Sequence, residues 1–107
     1  MALLYRSVAY TTTGTKDSVN LDPSIAPFAV TIGVNVGTTA TYGMQFSLDP
    51  MDVSDANAIW YDSGDIPTGT TTSATSFILS PVSRVRLVIA AVSGTLTLQT
   101  QQGFSVN

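Results

Sequence analysis

The chain has 107 residues, enough for one domain, a formal net charge of −3 and only 10% charged residues, against roughly 25% in ordinary globular domains. It contains no histidine, no cysteine and no glutamate, one lysine (Lys16) and three arginines (Arg6, Arg84, Arg86). That excludes disulfide staples, thiolate sites and the usual nucleophilic triads, and it argues against nucleic acid as a partner, which needs clustered cations.

Hydrophobic residues make up 44% of the chain, so disorder is not expected. Threonine and valine are abundant while Glu, Lys and Gln are scarce, which favours strands over helices. The opening Met1-Ala-Leu-Leu-Tyr-Arg6 lacks the basic segment and apolar run of a signal peptide. No segment approaches the roughly 18 apolar residues of a membrane span. The expectation is a protein made in a cytoplasm that stays soluble or joins an assembly, with no membrane partner.

Taken in chain order, Leu3 to Tyr10 has β character and ends in the polar turn Thr11-Thr-Thr-Gly14. Asp17 to Pro27 is broken by Pro23 and Pro27 and reads as a connection with a short edge strand at Ser18 to Leu21. Phe28 to Val36 alternates cleanly, with Phe28, Val30, Ile32 and Val34 on one face. Ala40 to Leu48 repeats the pattern with Tyr42, Met44, Phe46 and Leu48 inward. The two predict an antiparallel hairpin closed at Asn35 to Thr39.

Asp49 to Asn57 is turn-rich, and Pro50 suits the start of a single helical turn. Ala58 to Tyr61 predicts a short strand with one of Trp60 and Tyr61 in the core, because adjacent strand residues face opposite ways. Asp62 to Ser73 is a polar loop, and Ala74 to Leu79 a strand. Arg84 to Val92 is the strongest β segment. Val85, Leu87, Ile89 and Ala91 form one face; Arg84, Arg86, Val88, Ala90 and Val92 form the other, wet at its charged end and covered at its apolar end. Ser93-Gly94 is a turn, and Thr95 to Thr100 the last strand, with Leu96 and Leu98 inward. Residues 101–107 form a short tail whose Phe104 and Val106 are able to dock. The whole predicts one all-β domain over 1–107, an antiparallel β-sandwich of about seven or eight strands, with the jelly roll as one form and a small closed barrel as the competing architecture.

Chemistry is sparse. Lys16, beside Asp17, reads as a solvated lysine, and neither GxxxxGK[ST] nor GxGxxG is present. Asp49, Asp52 and Asp55 recur every third residue, as do Asp62 and Asp65. An oxygen-rich loop suits calcium, but the central glycine and glutamate of the EF-hand loop are missing, so turn-capping aspartates are the better reading. Tyr5, Tyr10, Tyr42, Trp60 and Tyr61 would serve a carbohydrate module only if brought onto one face. Neither a catalytic residue, a cofactor site nor a metal site is assigned.

Several stretches carry a resemblance: Asp22-Pro-Ser-Ile-Ala-Pro-Phe-Ala-Val-Thr31, Tyr42-Gly-Met-Gln-Phe-Ser-Leu-Asp49, Ile59-Trp60-Tyr61, Ser80-Pro-Val-Ser-Arg-Val-Arg-Leu87 and Ser93-Gly-Thr-Leu-Thr-Leu-Gln99. Together they resemble small β-sandwich virion proteins of tailed bacteriophages, of the capsid decoration or cement type. The resemblance implies a non-enzymatic structural protein on the virion head surface. Its partners would be the major capsid protein and its own copies, as trimers or dimers. A tail or baseplate component and a carbohydrate-binding β-sandwich are the alternatives. Independently of the resemblance, low surface charge and lysine-free central strands point to self-association. The interface candidates are Tyr61, Arg84, Arg86, Val88, Val92, Phe104 and Val106. Arg84 and Arg86 are expected at the rim, paired with carboxylates such as Asp62 or Asp65 of a neighbouring copy.

Overall fold

A computed structural model describes residues 2–21, 29–50 and 52–104 of the chain, with side chains from Tyr5 to Gln102 within those ranges. Nine strands and no helix are found among these residues: β1 (Ala2–Tyr10), β2 (Gly14–Thr15), β3 (Val19–Asn20), β4 (Val30–Val36), β5 (Thr39–Ser47), β6 (Trp60–Asp62), β7 (Ala74–Ile78), β8 (Arg84–Ser93) and β9 (Leu96–Phe104). They form two antiparallel sheets. One has the order β1-β9-β4-β7; the other has the order β2-β8-β5-β6, with β3 also paired to β8. Counting β2 and β3 as one interrupted strand, this is the eight-stranded, two-sheet order of a jelly roll. The all-β sandwich expected from the alternating segments is therefore what forms.

The core lies between the sheets. Val30, Ile32 and Val34 of β4 and Leu96 and Leu98 of β9 meet Tyr42 and Met44 of β5 and Val85, Leu87 and Ile89 of β8, all buried. Each large apolar side chain removed from water there contributes about 1.5–3 kcal/mol. Thr100 and Gln102 continue the inward row of β9 and are also buried.

The hairpin expected between β4 and β5 does not form, because the two strands lie in different sheets. The connection at Gly37 and Thr38 is an arch that crosses from one layer to the other, and Gly94-Thr95 does the same between β8 and β9. The two arches lie side by side. The Gly37 N–H donates to the Thr95 carbonyl at 2.9 Å. Gly94 has φ +78°, and a Cβ there would lie 2.6 Å from Thr38 Oγ1. A short loop between two alternating strands fits a hairpin or an arch equally well; the choice is made by what each strand pairs with on its far side.

Other departures are local. Leu48 was expected inward but is 57% exposed, because β5 ends at Ser47. The tail expected from residue 101 is instead strand as far as Phe104, paired with β1. The loop after Pro50 has a turn closed by the Val53 N–H onto Pro50 O and a single α-type turn closed by the Ala58 N–H onto Ser54 O, with no helix among the described residues. Phe28, Pro23, Pro27 and Val106 lie outside the described residues.

Candidate functional site

The outer face of the second sheet was expected to be wet where Arg84 and Arg86 sit. It is the reverse. Arg84 is only 4% exposed, whereas Ala90 and Ala91 at the apolar end are exposed. The turn-rich segment 49–59 folds over the sheet at Arg84, and the guanidinium holds it there. Arg84 Nη1 donates to Asp55 Oδ1 at 2.8 Å, and Nη2 donates to the carbonyls of Pro50 (2.8 Å) and Val53 (2.6 Å). Asp55 also accepts from the backbone N–H (3.0 Å) and hydroxyl (2.8 Å) of Ser18, which ties β3's approach to the same point. Trp60 Nε1 donates to the Asp55 carbonyl at 3.0 Å. Burial pushes the Asp55 carboxyl up, but the Ser18 and Arg84 hydrogen bonds and the guanidinium charge outweigh it and hold the group below its ordinary value.

Arg84 is thus not an interface rim residue; it is committed within the chain. Arg86, half-buried, lies with its guanidinium 3.9 Å from the centre of the Trp60 ring and donates from Nε to Gln45 Oε1 at 2.9 Å. Within the chain, Asp62 accepts from Gln45 Nε2 and Asp65 from Ser76 Oγ, and both carboxylates are exposed. Asp49 accepts from the Ile59 N–H. The carboxylates do not converge: no group of three or more potential ligands that could hold a metal is found among the described residues.

The remaining interface candidates divide. A bulge at Ala90, between the Thr41↔Ala91 and Tyr42↔Ile89 pairs, reverses the alternation, so Val92 sits opposite Ala40 and packs on the core instead of facing out. Val88 stays on the outer face, half-buried, beside Thr15 of β2. Phe104 ends β9, and its side chain, like all of Val106, is outside the described residues. Tyr61 is 46% exposed and stacks on Phe46, with ring centroids 5.6 Å apart. Neither Trp60 nor Tyr61 enters the core. The aromatics form no single row: Tyr42 is buried, while Tyr5 on β1 and Tyr61 on β6 belong to opposite lateral sides of the sandwich.

One surface is left uncommitted by these contacts. Six large hydrophobic residues are exposed among the described residues, and five of them lie near β6 and β7, the edges of the two sheets on one side of the sandwich: Tyr61 and Phe77 within these strands, Ile59 and Leu79 beside them, and Leu48 just after β5, the partner of β6. Between those edges runs a groove of about 370 Å³, lined by Phe46, Leu48, Ile78, Pro81 and Val82, with Ser63, Asp65 and Ser76 along its polar margin. Composition hinted at surplus apolar surface, but no sequence feature marked this side, because it is assembled from segments about 30 residues apart.

No family model and no curated protein matches the chain. Among solved structures it is similar to a chain from work entitled "Bacillus endospore appendages form a novel family of disulfide-linked pili". The identity is 15% over 96% of this chain and 89% of that one, with a TM-score of 0.40. A likeness that loose bears on neither fold nor function.

Proposed function

We propose that this protein is a non-enzymatic structural component of a bacteriophage virion, a decoration or cement protein that binds the capsid shell and its own copies. The observation that carries the reading is the apolar lateral side at β6 and β7. Five of the six exposed large hydrophobics lie in or next to the edge strands of this side, and an apolar groove runs between those edges, which suits a surface that meets another protein. The low charge of the chain supports it, since a surface covered by neighbours has less need of charge for solubility. The missing histidine, cysteine and glutamate support a role without chemistry. Jelly rolls recur in viral capsid and lectin domains, which agrees with the reading as fold-level analogy only.

The test is fractionation of phage particles from cells that express the chain. On this reading the protein is a stoichiometric component of purified heads. Recovery with isolated tails would favour a tail or baseplate role, and recovery only as a free glycan-binding protein would replace the reading with a carbohydrate module.

A further inference from the structure

Strand β7 is the edge of the first sheet, paired only with β4. The direction of its free hydrogen-bonding groups follows from β4. The Val36 N–H reaches Ser73 Oγ on the β7 side, at 2.9 Å, and the Gly37 N–H reaches Thr95 on the β9 side. Even-numbered residues of β4 therefore bond toward β7, which makes Ile32↔Ser76 and Val30↔Ile78 hydrogen-bonded pairs. Thr75 and Phe77 must then turn their N–H and C=O groups to the open edge, and both residues are exposed, Phe77 to 66%. The segment Ser73-Ala-Thr-Ser-Phe-Ile-Leu79 has no charge and no proline, so none of the usual devices blunts this edge.

We infer that β7 is a self-pairing edge: two copies of the chain join β7 to β7 in antiparallel register about Ser76, making one continuous eight-stranded sheet across the dimer. This rests on the assembly reading above and names its contact. In this register Thr75 faces Phe77 of the second copy, and the reverse, so the groups left free on one edge meet their complements on the other. A second feature supports the register. Gln99, Gly33 and Thr75 form one row on the outer face, and Gly33 leaves a notch there, with nothing within 4 Å of a Cβ placed on it. The second copy's Phe77 extends that row beside Thr75, an aromatic directly across from a β-branched side chain. Seven edge residues span about 24 Å, and two packed layers add a depth of about 20 Å. That gives about 500 Å² per partner and about 1,000 Å² in total, the lower bound of a specific interface. An interface of that size suits a reversible dimer. Asp65, bonded to Ser76 at the two-fold centre, brings like charges near the axis, so added salt tightens association.

The experiment is sedimentation of the full chain over about 1 µM to 1 mM, the range of reversible association, for wild type, Thr75→Pro and Phe77→Lys. Proline at 75 removes a donor that faces the edge and leaves the β4 ladder intact; lysine at 77 tests the same edge without touching the backbone. Both variants are expected to keep the wild-type circular dichroism and raise the dimer dissociation constant at least tenfold. An equal mixture of Thr75→Cys and Phe77→Cys chains should form a mixed disulfide dimer under oxidation that neither variant forms alone. A wild-type monomer throughout, or a dimer that both substitutions leave unchanged, overturns the inference. So does a concentration-dependent polymer, which would indicate β7 pairing with β1 of the next copy. Head fractionation still reads the assembly role separately in each case.

Discussion

Arg84 Nη1 lies 2.8 Å from Asp55 Oδ1, and this ion pair joins a central strand to the segment that covers it, 29 residues away in sequence. The partners are unequally buried: the Arg84 side chain is 4% exposed and that of Asp55 34%. Breaking a buried pair is expensive mainly because of the charge left behind, about 3–5 kcal/mol when that charge is fully buried.

Asp55→Ala should therefore destabilise more than Arg84→Met. The first strands a buried guanidinium and removes the anchor of Ser18, for a loss near the lower end of that range, about 3 kcal/mol. The second leaves the Asp55 carboxylate and the Pro50 and Val53 carbonyls without their donor, but all three residues are still reached by water, and it should lose about 1–2 kcal/mol. Urea unfolding of both variants checks the order.

The same pair sets an acid limit. Asp55 is held below its ordinary value of 3.8 in the folded chain, so its contribution is complete above that value and is lost as pH falls through the lower, folded value. Stability followed by denaturant unfolding should fall as pH drops below 3.8, and Asp55→Asn should flatten that part of the profile.

Two strand glycines should respond oppositely to alanine. A Cβ on Gly43 would lie 2.8 Å from Thr68 Cα and 2.9 Å from Thr68 N, both backbone atoms of the loop that crosses it. Gly43→Ala should cost about 1–3 kcal/mol, as overpacking does. Gly33→Ala meets nothing and should stabilise the monomer by up to about 1 kcal/mol, because glycine is unfavourable within strands. Thermal melts at low concentration compare them.

Arg86 and Trp60 are predicted to be coupled. Their stacked geometry, 3.9 Å from guanidinium carbon to ring centre, is worth about 0.5–2 kcal/mol depending on how dry the contact is. A double-mutant cycle of Arg86→Ala and Trp60→Ala reads that coupling directly.

Strand positions were legible because alternation is local: Val30, Ile32, Val34, Leu96 and Leu98 are buried as their pattern required. The errors came from information the chain does not hold locally. Gly37 and Gly94 mark turns, but only the pairing of β4 with β9 and of β5 with β8 makes them arches. One bulged residue, Ala90, reversed Val92. Arg84 looked like a surface charge because its partner Asp55 belongs to a loop that has no period. The β6–β7 side was not legible at all, since these two edges come to the same side only when the two sheets stack.

Electron cryomicroscopy of intact particles that carry the chain tests the virion assignment most directly. Density for the jelly roll is expected on the icosahedral shell, with Phe77 and Leu79 covered by a neighbouring molecule. Particles that lack the domain, or a shell-bound domain whose β6–β7 side faces open solvent, would contradict it.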